Sequence, residues 1–116
     1  MRPALPEPLE LAVRAVEDRK GLEVTVLDLR DVSDATDYFV IATGTSDAHV
    51  RGIAEVVQER LKEHGHRAHH IEGMRTGRWV LLDYVDFVVH VFHPETREFY
   101  QLERLWGDAP ELLVSS

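Results

Sequence analysis

The stretch from Trp79 to Phe92, WVLLDYVDFVVHVF, constrains the fold of this chain more than any other. Two apolar, β-branched runs flank Asp83-Tyr84-Val85-Asp86, the pattern of two antiparallel strands joined by a short turn. With Asp83 paired to Asp86, Leu82 lies opposite Phe87, Leu81 opposite Val88, Val80 opposite Val89 and Trp79 opposite His90. Side chains alternate faces along a strand, so this hairpin has two surfaces. Val80, Leu82, Phe87, Val89 and Val91 make one wholly apolar surface. Trp79, Leu81, Val88 and His90 make the other, which ends in the two aspartates. A sheet with one wet face would alternate apolar and polar residues more cleanly. The second surface therefore needs a cover: a helix, a second subunit or a partner. The turn itself fits poorly, because two-residue hairpin turns favour positive φ and a valine at position 85 would be strained there. A slip of one residue would exchange the two surfaces.

The chain has 116 residues and no cysteine, which suits one domain with its own core and excludes disulfides and zinc–thiolate sites. The N-terminal MRPALPEPLELAV lacks the basic region and apolar run of a signal peptide. No apolar stretch approaches the roughly 20 residues of a membrane span. These features predict a single soluble, cytoplasmic domain over 1–116, with loose termini at 1–8 and 110–116. The formal net charge is −8, from 21 acidic and 13 basic residues. Extensive direct nucleic-acid binding needs clustered Lys and Arg and is not expected. Acidity serves solubility first, and beyond that suits a basic protein surface.

In chain order, Pro3, Pro6 and Pro8 keep the start extended. Leu9, Ala12, Val13 and Val16 have the spacing of an amphipathic helix, which Gly21 would terminate. Residues 23–29 alternate as a strand, and Tyr38 to Ala42 reads as a buried one. Thr45 or Ser46 caps a second helix whose stripe is Val50, Ile53, Ala54, Val57 and Leu61. A weak strand covers Ala68 to Ile71, and the hairpin comes next. Phe99, Leu102, Leu105 and Trp106 mark a last helix, with a frayed ELLVSS tail. The order α-β-β-α-β-β-β-α predicts an α/β (mixed α+β) fold, a mixed sheet of about five strands with flanking helices.

Three candidate chemistries are weak. Gly44-Thr45-Ser46 could cradle a phosphate at a helix start, but it lacks the Walker lysine and the full glycine pattern, and capping explains it. His64, His66, His69 and His70 cluster near one strand, yet adjacent His69 and His70 point to opposite faces. Asp83 and Asp86 could hold a divalent cation in a small metal-dependent nucleotidyl or phosphoryl transferase, but no base or phosphate-gripping lysine joins them. No cofactor or metal is expected. More informative is the second hairpin surface. Trp79, Leu81, Tyr84 and His90, rimmed by Asp83, Asp86 and Glu72, have the composition of an interface. Packing of Trp79 beneath the last helix accounts for the same residues, and periodicity leaves both readings open.

Glu72-Gly73, Trp79, Leu81, Asp83-Tyr84, Asp86, Val89-His90, Phe92, Arg97, Phe99-Tyr100, Leu102-Glu103 and Leu105-Trp106 fall in one pattern, preceded by Asp37-Tyr38-Phe39-Val40-Ile41-Ala42-Thr43-Gly44-Thr45-Ser46. From about Leu22 to Ala109 this pattern resembles the ribosomal silencing factor, or Iojap-like, family. Val85 stands where that family usually has glycine. The resemblance implies a nucleotidyltransferase-like fold without the catalytic carboxylates, hence no enzyme. It implies a homodimer, for which the first helix is a candidate element. It also implies binding to the large-subunit ribosomal protein uL14, sterically blocking small-subunit joining and repressing translation during starvation or stationary phase. Trp79, Leu81 and Tyr84 would then centre the uL14 contact, with Asp83, Asp86 and Glu72 meeting basic residues and His90 holding the hairpin beside Trp79.

Overall fold

The computed structural model describes residues 4–115, so Pro3 and the outermost residues of both expected loose termini lie outside the described residues. The elements are α1 (Glu7–Asp18), β1 (Leu22–Asp28), β2 (Tyr38–Thr43), α2 (Asp47–Glu63), β3 (His70–Glu72), β4 (Trp79–Asp83), β5 (Phe87–Phe92), α3 (Pro94–Tyr100), α4 (Leu102–Leu105) and β6 (Glu111–Val114). The strands form one six-stranded mixed sheet in the order β3-β4-β5-β2-β1-β6. β2 and β5 pair in parallel, and the other neighbours are antiparallel. The α/β class is as expected, with a sixth strand. That strand is the tail expected to fray: Leu113 pairs with Val26 and Val114 with Thr25, so the open edge of β1 orders it. Among the described residues no helix is long and apolar enough to cross a membrane.

Both faces of the sheet are apolar. α1 and α2 cover the first face, burying Leu9, Val13, Val16, Val50, Ile53, Val57 and Leu61 against Val24, Val26, Val40, Val80, Leu82, Val89 and Val91. Full burial of each such side chain stabilises by roughly 1.5–3 kcal/mol. α1 ends in a Schellman motif: Lys20 takes the left-handed conformation (φ 60°), and its N–H and that of Gly21 close back on the Glu17 and Val16 carbonyls. Gly21, expected as the terminator, is needed instead for space, because a Cβ there would strike Val16. The second face holds Leu27, Leu29, Phe39, Ile41, Val88 and Phe92 beneath Leu102 and Ala109. Among the described residues, the short segment after Phe92 is what covers it.

The hairpin register differs from the expected one by two residues. Trp79 faces Phe92, Leu81 faces His90 and Asp83 faces Val88. A shift of two preserves side-chain parity, so the division into two surfaces stands. The turn has moved to Val85-Asp86, because Tyr84 remains in the ladder and donates its N–H to the Phe87 carbonyl (2.9 Å). Val85 has φ 72°, and the Asp86 N–H closes on the Tyr84 carbonyl (2.9 Å), a γ-turn of the strained hand. Three bonds hold this tip: Val85 N–H to Asp83 Oδ1 (2.8 Å), Thr36 Oγ1–H to the Val85 carbonyl (3.0 Å), and Asp37 N–H to the Asp86 carbonyl (2.9 Å). A left-handed valine costs roughly 1–3 kcal/mol, against which glycine loses about 0.5–1 kcal/mol in unfolded-state entropy. Val85→Gly should therefore stabilise by about 1 kcal/mol and raise the Tm by about 4 °C in thermal denaturation.

Candidate docking surface

β4 and β3 carry the uncovered end of the second face. Glu72 lies directly across from Leu81, and His70 across from Asp83, so Trp79, Leu81, Asp83 and Glu72 share one side of the sheet. Trp79 and Leu81 are half-buried, and Glu72 is exposed. Trp79 stands between two roles. Its ring lies 4.9 Å from Phe92 and 4.9 Å from Tyr100 of α3, while its Nε1–H donates to His90 Nδ1 (3.0 Å). It is packed by α3 on one side and open on another.

Two of the expected interface residues stand elsewhere. Tyr84 is buried on the first face, stacked on Phe87 at 4.9 Å. Its even-numbered parity with Val80 and Leu82 carries it there, because the strand runs one residue further than expected. Burial pushes the Tyr84 hydroxyl up to about 12. Asp86 is exposed at the tip and lines a groove of about 560 Å³ with Tyr84, Asp37, His66 and Arg67, away from Trp79. Asp83 stays on the second face, with one carboxylate oxygen engaged by the Val85 N–H.

His90 is 3% exposed, with Phe39 edge-on at 4.5 Å. Accepting from Trp79 at Nδ1 leaves its proton on Nε2, which has no hydrogen-bond partner among the described residues. Desolvation pushes its pKa down from 6.5 to about 3.

At the other candidate sites several of the polar atoms are taken up by local structure. At the start of α2, Ser46 Oγ accepts from the His49 N–H (3.1 Å), the Thr45 N–H donates to His49 Nδ1 (2.8 Å), and the Gly44 N–H donates to the Phe92 carbonyl (2.9 Å). The Gly44, Thr45 and His49 amides are thereby engaged. His49 Nε2, carrying the proton, donates to the Arg19 carbonyl (2.7 Å) and locks α1 to α2. Nothing local in the sequence marked His49, since its second partner lies in another helix. His64 Nδ1 lies 3.0 Å from the Arg60 carbonyl, and His70 Nε2 lies 3.6 Å from Glu72. Among the described residues no group of three or more His, Asp or Glu side chains is placed to hold a metal ion.

The last segment also departs from expectation. It forms two short helices, broken at Gln101 with φ 45°. Leu102 is buried, but Phe99, Tyr100 and Leu105 are 79%, 48% and 73% exposed. Tyr100 and Phe99 add an apolar ledge beside Trp79.

One six-stranded mixed sheet thus carries half-buried Trp79 and Leu81 beside Asp83 and exposed Glu72 at its β3–β4 end. The sequence matches, over residues 2–116, the model of the family described as ribosomal silencing factor during starvation. It is 44% identical over 104 residues to ribosomal silencing factor RsfS of Halalkalibacterium halodurans, covering 90% of this chain and 89% of that protein. RsfS of Bacillus subtilis is 42% identical over 102 residues, covering 88% and 86%. A crystal structure of a Chromobacterium violaceum protein superposes with a TM-score of 0.85 at 40% identity, covering 87% of this chain and 84% of that one. The chain belongs to the ribosomal silencing factor family.

The neutral state of His90 has a measurable consequence. The folded protein resists protonating it until about pH 3, whereas the unfolded chain takes up the proton near 6.5. Stability from this site is complete above 6.5 and is lost as pH falls toward 3, at up to about 1.4 kcal/mol per pH unit. Denaturant titrations between about pH 4 and 7 should show this slope in the wild type and a shallower one in His90→Asn.

Proposed function

We propose that the chain binds the large ribosomal subunit at its protein uL14 and sterically blocks joining of the small subunit, repressing translation during starvation or stationary phase. The observation that carries this reading is the open end of the second sheet face, where half-buried Trp79 and Leu81 sit beside the carboxylates of Glu72 and Asp83. An apolar centre within an acidic rim suits a basic ribosomal protein, and the same charge disfavours direct binding to rRNA. Silencing by occupancy needs neither a catalytic group nor a cofactor. A homodimer working in the cytoplasm completes the proposal. Tyr84 is left out of the contact because it lies on the other face, and Asp86 because it belongs to the tip groove.

Co-sedimentation with purified subunits tests the reading. The wild type should pellet saturably with large but not small subunits. Trp79→Ala, checked to be folded, should lose about 2 kcal/mol, or about 30-fold in affinity. Glu72→Lys, at an exposed position, should weaken binding with stability unchanged within about 0.5 kcal/mol. Normal binding by both variants would remove this face from the contact.

A further inference from the structure

Arg97 is a charged side chain only 8% exposed. Its Nη1 donates to the Glu23 carbonyl (2.7 Å) and to Thr43 Oγ1 (2.8 Å). Its Nη2 donates to Thr25 Oγ1 and to Glu103 Oε2, both at 3.3 Å, and Nε also reaches Glu103 Oε2 (3.4 Å). One planar fork therefore joins α3 to β1, to β2 and to α4. A rigid guanidinium can serve several acceptors in fixed directions at once, which an ammonium on a flexible stem cannot.

The helices this fork holds have little else to hold them. Between residues 94 and 105, Arg97 and Leu102 are the buried side chains. So little apolar burial does not fix the angle of a helix pair on a sheet. The chain between the helices turns through left-handed Gln101, whose N–H donates to the Arg97 carbonyl (2.8 Å), so the bend is registered on the same residue. Among the charged side chains that the pair presents outward stand Phe99 and Tyr100. The Tyr100 ring lies 5.0 Å from Phe99 and 4.9 Å from Trp79, so the ledge is continuous with the Trp79 patch. Exposed Glu95, Glu98 and Asp108 stand against exposed Arg104 and against Arg78, which lies 3.9 Å from Glu95, so the balance here remains acidic.

We propose that Arg97 is a positioning residue for docking: it fixes α3 and α4 on the sheet so that Phe99 and Tyr100 extend the Trp79 patch toward an apolar-centred, basic-rimmed protein surface. This rests on the docking reading above and adds to it a second half of the contact and the residue that aims it. Buried Arg97 touches no partner. It acts through the ledge.

Two measurements on the full chain test this, using Arg97→Lys and, because that variant could fold poorly, the volume-preserving Thr25→Val/Thr43→Val. In hydrogen exchange of the free protein, the Gln101, Arg104 and Leu105 amides should exchange about tenfold faster or more in either variant, with β2 and β5 protected as in the wild type. In titrations against purified large subunits well below the Tm, both variants and the surface variant Phe99→Ala should bind about tenfold more weakly or worse. Protection lost evenly along the chain would reduce Arg97 to a stabilising role and overturn the proposal. So would unchanged protection of α3 and α4, or wild-type affinity in Phe99→Ala or in a variant with a loosened α3–α4. Wild-type binding beside any of these results leaves the docking reading standing. Failure of the wild type to bind at all overturns that reading, and a local exchange effect would then mark a clamp with no docking role.

Discussion

β2 and β5 run parallel in the middle of the sheet, and parallel neighbours cannot be joined by a tight turn. The chain between them must leave the sheet, cross one face and return. α2 makes that crossing, and β3 and β4 are placed outside β5 on the way back. The two central strands are buried almost throughout, so each needs a cover on both faces. The first face receives α1 and α2 in full. Among the described residues, the second receives the segment after Phe92: two helices of seven and four residues and the turn at Ala109. That segment touches β4 through Tyr100 against Trp79 and leaves Leu81 half-buried and Glu72 of β3 exposed. The open patch at Trp79 and Leu81 is thus a consequence of topology, and the acidic side chains around it limit what can dock there.

Local conflicts concentrate beside this patch. Val85 is held in a left-handed γ-turn by Asp83, Thr36 and Asp37, which tie the hairpin tip to the β1–β2 loop. Buried His90 remains neutral beneath Trp79, and buried Arg97 exchanges water for five hydrogen bonds. His90 and Arg97 depart from ordinary core composition, and exposed Val85 departs in its backbone conformation. Together they fix the hairpin, the indole and the last two helices relative to one another.

Much of this was legible in the sequence where a single period governed burial. Val50, Ile53, Ala54, Val57 and Leu61 face one way on a 3.6-residue helix, and all five are buried. The two hairpin surfaces come from the period of two, which a register error of two residues cannot disturb. Parity also explains the main error at the site: with the turn placed one residue early, Tyr84 appeared to leave the strand, whereas it continues to the Leu82 side. β6 was illegible because ELLV has no pattern of its own beyond four residues, and its partner edge is remote in sequence. Arg97 stands in the family pattern, but its role as a link between elements was illegible for the same reason. Its acceptors Glu23, Thr25 and Thr43 lie 54 to 74 residues away. Phe99 and Leu105 matched a helical core stripe, but the break at Gln101 turns them outward.

The central claim is that the Trp79 face of the sheet, and not the helical face, meets uL14. Site-specific photocross-linking measures this most directly. A photoreactive residue replaces exposed Glu72 on the Trp79 face or, in a second protein, exposed Glu59 on α2, and each is irradiated with purified large subunits. The account predicts a uL14 adduct from position 72 and none from position 59. An adduct from position 59 alone, or rRNA as the sole adduct of position 72, would contradict it.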